Sequence, residues 1–303
     1  MTARIIDGKA TAAAVRRRVA AQVAELAHRG IVPGLAAVLV GDDPASAVYV
    51  AGKERDCQAV GMRSLGARLP ADTSQGALLA EIDRLNADPQ VSGIIVQLPL
   101  PDHLDAVEAQ ERTAVAKDVD GLHPVNAGRL LRGDPFLVPA TPLGCQVLLD
   151  EHGILTAGAH LVIVGRSQLV GRPLAMLLSL KRTGANATVT MCHTGTRDVG
   201  AHTRQADIVV VATGVPHTLT ADMIKPGAAV LDVGINRRDD GGLFGDADYD
   251  TVAEVAGAIT PVPGGVGPMT RAMLLHNTLL AATRSPPPPA GLVAATGRRP
   301  PDG

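Results

Sequence analysis

The chain has 303 residues, too many for one ordinary hydrophobic core and enough for two domains of usual size. Its 46% hydrophobic content can fill such cores, a formal charge of −2 offers no basic surface to nucleic acid, and aromatics at 1% withhold the stacking platforms of single-strand binders. No histidine pair has metal-ligand spacing, no window reaches the roughly 18 apolar residues of a membrane span, and Cys57, Cys145 and Cys192 form no CxxC pair. These features lead us to expect a cytoplasmic protein with reduced cysteines, without a metal, a membrane segment or a nucleic-acid partner.

In chain order, Val15, Val19, Val23 and Leu26 recur at helical spacing, and Gly30 stands where that helix should stop. Leu35–Val40 reads as a buried strand closed by the turn Gly41-Asp-Asp-Pro44. Asp43 or Ser46 can cap a helix from about Ala45 to Val60. A strand near Met62–Leu69, a helix near Ser74–Asn86 and a strand at Gly93–Gln97 follow, an alternation that favours a parallel sheet covered on both faces.

From Pro99 to Pro142 six prolines interrupt every candidate element, so an ordered connection or cleft wall is expected there. A helix near Leu143–His152 opens a second alternating unit: strand Leu161–Val164, helix Leu174–Leu180, then strands Thr188–Met191, Ile208–Ala212 and Ala229–Val233. An apolar helix from about Met269 to Thr283 should pack back on the first unit. The expected division is residues 1–140, completed by helix 269–284, then 141–268, with a disordered proline-rich tail over 285–303.

Three stretches carry residues suited to chemistry. In Ser46-x-x-Tyr49-x-x-x-Lys53 the spacing places three side chains on one helix face, and a phenol and an amine could meet a substrate there. The same spacing serves a solvated lysine with a tyrosine along its stem. Gln97 ends a predicted central strand, where ligands of α/β sheets collect, although a turn amide fits as well. Asp118, Asp120 and His123 lie in a proline-bounded loop where turn chemistry and binding explain the acids equally.

The stretch His160–Leu174 reads as strand, phosphate-sized turn and helix, a place for a pyrophosphate at a helix N-terminus. Ser167 occupies the position of the dinucleotide fingerprint's second glycine, and Gly171 comes one residue after the place of its third. A tight connection without a ligand is the alternative. The following strand ends Met191-Cys-His-Thr194 without the acid that holds an NAD ribose, and Arg166 is placed to meet a 2′-phosphate, with Thr194 or Arg197 assisting. NADP is therefore expected over NAD. Thr213 and Gly214, and Gly234 with Ile235, follow the next two strands, where a nicotinamide half should pass.

Taken together, Ser46-x-x-Tyr49-x-x-x-Lys53, Gly93-Ile-Ile-Val-Gln-Leu-Pro-Leu-Pro101, Lys117-Asp-Val-Asp-Gly121, Gly165-Arg-Ser-x-x-Val-Gly171, Asp232-Val-Gly-Ile-Asn236 and Pro261-Val-Pro-Gly-Gly-Val-Gly-Pro-Met-Thr270 resemble the bifunctional methylenetetrahydrofolate dehydrogenase/methenyltetrahydrofolate cyclohydrolase family. The resemblance runs in order from about Ile5 to Ala282. It implies two α/β domains with parallel sheets flanking a cleft, the second Rossmann-like, and a homodimer. It implies oxidation of 5,10-methylenetetrahydrofolate with NADP, then hydrolysis of the methenyl cation to 10-formyltetrahydrofolate. Lys53 becomes the expected base for hydrolysis, Gln97 its orienting partner and Tyr49 a folate contact. Asp120 is implied at the pterin, with Pro263 and Gly264 also on the substrate. Gly165, Arg166, Ser167, Gly171, Thr194, Thr213, Gly214, Gly234 and Ile235 are expected at the cofactor.

Two departures stand out. Ala140-Thr-Pro-Leu-Gly144 occupies a place where the family commonly has Cys-Thr-Pro-Lys/Arg-Gly, so Leu143 removes a basic residue near the cofactor. The tail after Ser285 has no counterpart in the family pattern. Two other readings are a dehydrogenase without cyclohydrolase activity, which intact Lys53 and Gln97 oppose, and a non-catalytic dinucleotide sensor, which predicts a damaged first-domain helix.

Overall fold

A computed structural model describes residues 2–283. The predicted tail over 285–303 lies outside the described residues. The first sheet is wholly parallel. At its centre β2 (Gly34–Val40) pairs on one side with β5 (Gly93–Val96) and on the other with β3 (Arg63–Ser64) and β4 (Ala67–Leu69). The single strand expected over Met62–Leu69 is thus two short pieces. Helices α1 (Gly8–His28), α2 (Pro44–Ala59) and α3 (Gln75–Ala87) belong to this half of the chain. Every residue of β2 is buried, as a strand covered on both faces requires.

The second sheet has six strands. These are β1 (Arg4–Ile5), β6 (His160–Val164), β7 (Thr188–Cys192), β8 (Ile208–Val211), β9 (Ala229–Asp232) and β12 (Ala258–Ile259), in the order β1-β12-β9-β8-β6-β7, all parallel. Order reverses beside β6, and the turn after β6 lies at that switch point, where α/β sheets collect ligands. The small antiparallel pair β10 (Asn236–Arg237) and β11 (Leu243–Phe244) follows β9. Arg4 and Ile5 extend the second sheet, so the N-terminus departs from the division at residue 140: the chain begins in one sheet and returns to build the other.

The proline-rich segment is more regular than its composition suggests. It holds α4 (Ala106–Arg112) and α5 (Pro124–Arg132), and α6 (Ala140–Glu151) starts three residues before the expected Leu143. Pro124 opens α5 rather than breaking it, because a first-turn residue has no intrahelical partner for the N–H that proline lacks. The short helices α8 (Val199–Thr203) and α9 (Tyr249–Val255), along with β12, also escaped the sequence reading.

Helix α7 (Gly171–Ser179) begins at the glycine itself, three residues ahead of the expected start. The last helix, α10 (Val266–Thr283), packs most extensively on α6 and α1. Together these three helices form a layer between the sheets. Leu161, Ile163, Val210 and Leu231 from the second sheet share one buried cluster with Leu35 and Ile95 from the first. The opposite face of the second sheet, including Val162, Val209 and Val230, is covered by Leu219, Ile224 and Val252.

Candidate active site

Lys53 is carried by α2, whose start is fixed by Asp43: its carboxylate accepts from the Ser46 N–H at 2.7 Å, and Pro44 takes the first helical position. Asp43, not Ser46, is the cap. The Lys53 ammonium donates to Gln97 Oε1 at 3.0 Å, and the Gln97 Nε2 donates to the Leu98 carbonyl at 2.6 Å. That second bond fixes which end of the amide faces the lysine. Burial holds Lys53 below the usual lysine range, with Asp120 opposing the shift and Arg271 adding to it.

The two acids of the 117–121 loop separate completely. Asp118 is buried and accepts from the N–H groups of Leu122 (3.1 Å) and His123 (2.9 Å) and from Asn126 Nδ2 (2.8 Å), so it builds the loop. Lys117 caps α3, donating to the carbonyls of Leu85, Asn86 and Asp88. Asp120 instead lines a cavity of about 230 Å³ with Lys53, Gln97, Thr141 and Thr270. Burial raises its pKa, while Lys53 pulls it down and Asp118 pushes it further up. Burial disfavours the charge on both groups, while the charge of each favours that of the other.

Two features of this cavity had no signal in the sequence. The hydroxyls of Thr141 on α6 and Thr270 on α10 lie 2.8 Å apart, 129 positions apart in the chain. Asn277, also on α10, donates to the carbonyls of Val119 and Val138 at 2.8 Å each, tying the Asp120 loop to the start of α6.

The expected convergence of Ser46, Tyr49 and Lys53 holds only in part. Ser46 is buried, and Tyr49, a turn before Lys53, lines a neighbouring cavity of about 400 Å³. That cavity contains Gly234, Ile235, Pro263, Gly264 and Arg271. Arg271 reaches the Lys53 helix, binding Asp56 Oδ2 at 2.6 Å through Nε and the Gly52 carbonyl at 3.0 Å. Consecutive residues Thr270 and Arg271 thus line one cavity each.

At the turn after β6, Gly165 has a φ of 133°, and a Cβ there would overlap the Ala212 carbonyl. A Cβ on Gly171 would overlap the Gly165 carbonyl. The two glycines let β6, β8 and α7 close into a shallow cradle whose rim carries exposed Arg166 and Ser167. Exposed Thr194 follows the neighbouring strand β7. The cradle suits a dinucleotide phosphate at a helix start with a cation beside it. Leu143, at the family's frequent basic position, is partly buried against the Leu130, Val138 and Leu177 cluster.

The Thr213 and Gly214 N–H groups are already engaged, donating to Asp246 Oδ2 at 2.6 and 2.8 Å. Asp246 was not singled out by the sequence, nor was its neighbour Asp232 as an acid. Asp232 Oδ1 accepts from the N–H groups of Gly234 and Asp246, and Oδ2 from that of Ala247. Burial pushes Asp232 up to about 6, against these N–H donors and with help from the Asp246 charge. A carboxyl whose folded pKa is raised binds its proton more tightly when folded. Its stabilising contribution is full below the unfolded value of about 3.9 and is lost as pH rises through about 6, a change on the order of 2–3 kcal/mol. Urea denaturation from pH 4 to 8 should show this decline, and Asp232→Asn should remove it.

An α/β chain with a glycine cradle at the sheet's switch point, and a cavity that holds a half-buried amine, has the makings of a nicotinamide-nucleotide enzyme with acid–base chemistry. Comparison with known proteins narrows the class. Residues 6–120 match the family model described as the tetrahydrofolate dehydrogenase/cyclohydrolase catalytic domain, and residues 139–286 match its NAD(P)-binding domain. The chain belongs to the tetrahydrofolate dehydrogenase/cyclohydrolase family. It is 55% identical over 285 residues to the bifunctional protein FolD of Bordetella avium, covering 94% of this chain and 99% of that one. It is 55% identical to the protein of the same name from Moorella thermoacetica, covering 94% and 100%. Among solved structures, the FolD dehydrogenase/cyclohydrolase of Campylobacter jejuni superposes with a TM-score of 0.89 at 46% identity, covering 92% and 98% of the two chains. The Trypanosoma brucei enzyme, solved with NADP cofactor and inhibitor, gives 0.87 at 39% identity, covering 93% and 98%. The chain is accordingly a methylenetetrahydrofolate dehydrogenase and methenyltetrahydrofolate cyclohydrolase of one-carbon metabolism with an NAD(P)-binding domain.

Proposed function

We propose that the cavity around Lys53 is the place where both reactions occur, and the Lys53–Gln97 contact carries this reading. Asp120, lining the same cavity, accepts the amino and ring N–H groups of the pterin. Tyr49, with Pro263 and Gly264, borders the rest of the folate from the neighbouring cavity. Arg166 and Ser167 at the Gly165–Gly171 cradle take the cofactor's phosphates, and Thr194 assists. Gly234 and Ile235 wall the nicotinamide half, as do Thr213 and Gly214 through their surface rather than their engaged N–H groups. A bound NADP would supply the hydride acceptor for the bridging methylene.

The chain's own contribution is positioning, then proton handling. Hydride loss leaves an amidinium-like cation that needs no oxyanion hole, only a fixed approach geometry. For hydrolysis, Lys53 in its neutral form takes a proton from the water that adds to the methenyl carbon. The hydroxyl adduct then opens: its C–N5 bond breaks as C=O forms, the O–H proton passes to N5, the carbon stays on N10 as a formyl group, and Lys53 releases the first proton to solvent. Gln97 Oε1 keeps the amine aimed through this sequence. We assign the Lys53 half to residues up to about 140 apart from β1, and the cradle to 141–268 together with β1, with α10 completing the former. We also place the enzyme in the cytoplasm, supported by three free buried cysteines, and as a homodimer through the β7 edge strand.

The test mixes purified protein, methylenetetrahydrofolate and NADP, and follows NADPH and the methenyl absorbance separately. Both must appear, the methenyl signal then decaying; failure to form NADPH with either nicotinamide cofactor refutes the reading. For cofactor choice, Arg166→Ala should raise the KM for NADP about tenfold and that for NAD less than twofold, the loss of one charge-assisted contact to a phosphate. Equal effects on both would remove Arg166 from the 2′-phosphate.

A further inference from the structure

Asp246 lies between β11 and α9 and is fully buried. Among the described residues it forms no ion pair with a lysine, arginine or histidine. A buried carboxylate without a cation is costly unless neutral donors saturate it. Here they do. Oδ2 accepts from the Thr213 N–H, the Gly214 N–H and the Thr213 hydroxyl, at 2.6, 2.8 and 2.9 Å. Oδ1 accepts from Asn236 Nδ2 at 2.9 Å.

Those donors come from two separate turns. Thr213 and Gly214 follow β8, and Asn236 opens the small hairpin after β9. A Cβ on Gly234 would overlap the Asp246 carboxylate, so the glycine of the Asp232–Asn236 motif is required by this acid. Asp232 anchors the arrangement from below through the N–H groups of Gly234, Asp246 and Ala247. One carboxylate thereby fixes the spacing between the ends of β8 and β9.

We propose that Asp246 is a positioning residue for hydride transfer, clamping the 213–214 and 234–236 turns at the spacing a nicotinamide ring requires. The inference rests on the assignment of those two turns to the cofactor path. Asp246 does not touch the reacting atoms. It acts through the wall it holds, and a shift of that wall misaligns the ring relative to the methylene. Hydrolysis of methenyltetrahydrofolate needs no nicotinamide and depends on Lys53, which lies in the other half of the molecule.

Asp246→Asn tests this with little change in volume. Its amide can accept from the Thr213 and Gly214 side or from the Asn236 side, and presents N–H to N–H on the remaining one. NADP affinity, read by calorimetric titration without folate, should fall about tenfold, and dehydrogenase kcat about tenfold beyond that. Hydrolysis of methenyltetrahydrofolate, supplied directly without NADP, should stay within twofold. The milder Asn236→Ala removes the Oδ1 donor together with the Nδ2 bond to the Gly245 carbonyl, leaves all three Oδ2 donors in place, and should shift NADP affinity the same way, by about threefold. If Asp246→Asn does not fold, Asn236→Ala decides alone. Unchanged NADP affinity in the variant that folds, or proportional loss of both activities, overturns the proposal. Wild-type protein that fails to bind NADP overturns the cofactor path as well; a binding wild type with unaffected variants overturns the clamp only.

Discussion

Lys53→Met should slow hydrolysis of methenyltetrahydrofolate by about 10³-fold, the scale lost with a positioned general base, while leaving folate binding within a few-fold of wild type. Methionine keeps the length and apolar stem of the side chain and removes the nitrogen that accepts the proton. Because burial already lowers the amine's pKa, with Arg271 assisting, wild-type hydrolysis should slow as pH falls and the amine becomes charged. The Met variant should lack that limb. Decay of the methenyl absorbance across a pH series reads both effects, and near-normal decay in Lys53→Met would remove the residue from its role.

The meeting of Lys53 with Gln97 was legible because chemistry restricts it: an amine at helical spacing from a tyrosine, with a glutamine at a strand end, leaves few alternatives once other motifs appear in order. What sequence could not separate were neighbours of the same type. Asp118 and Asp120 differ by two positions, yet one is consumed by Leu122, His123 and Asn126 and the other lines the cavity. Only tertiary contacts decide that. Thr141–Thr270 and Asn277–Val119 join positions more than 100 residues apart, and no local pattern announces them.

The fold shows the same division. The long buried strands, such as Gly34–Val40 and His160–Val164, carry their apolar runs openly, and their boundaries shifted by a residue at most from expectation. Arg4–Ile5 is two residues long with both side chains exposed, so nothing in its sequence marks it as a strand of the distant sheet. In the 99–142 region, proline reads locally as a breaker although it can equally begin a helix, as Pro124 does. Asp246 was missed for a different reason: a buried acid satisfied entirely by N–H and O–H donors has no charged partner for sequence to reveal.

The largest effect on the cofactor side is expected from Gly171→Ala, although it adds only one methyl group. Gly171 opens α7, and its would-be Cβ overlaps the backbone carbonyl of Gly165 rather than a side chain that could swing aside. Relief requires α7 to move away from β6, which opens the cradle and carries Arg166 and Ser167 away from the proposed phosphate position. A displacement on the order of 1 Å at such a site costs about a hundredfold, and NADP affinity should fall by that factor. The loss divides between the reactions. Dehydrogenase activity at fixed NADP should fall with the affinity, whereas hydrolysis of added methenyltetrahydrofolate, proposed to draw on Lys53, Gln97 and Asp120, should persist. Gly171→Ala also differs from Arg166→Ala in its discrimination: displacing the cradle weakens NADP and NAD alike, while losing the guanidinium penalises NADP selectively. Calorimetric titration of both variants with both cofactors separates the two roles. A Gly171→Ala enzyme that binds NADP with wild-type affinity would show that the close packing of β6 on α7 does not set the phosphate site.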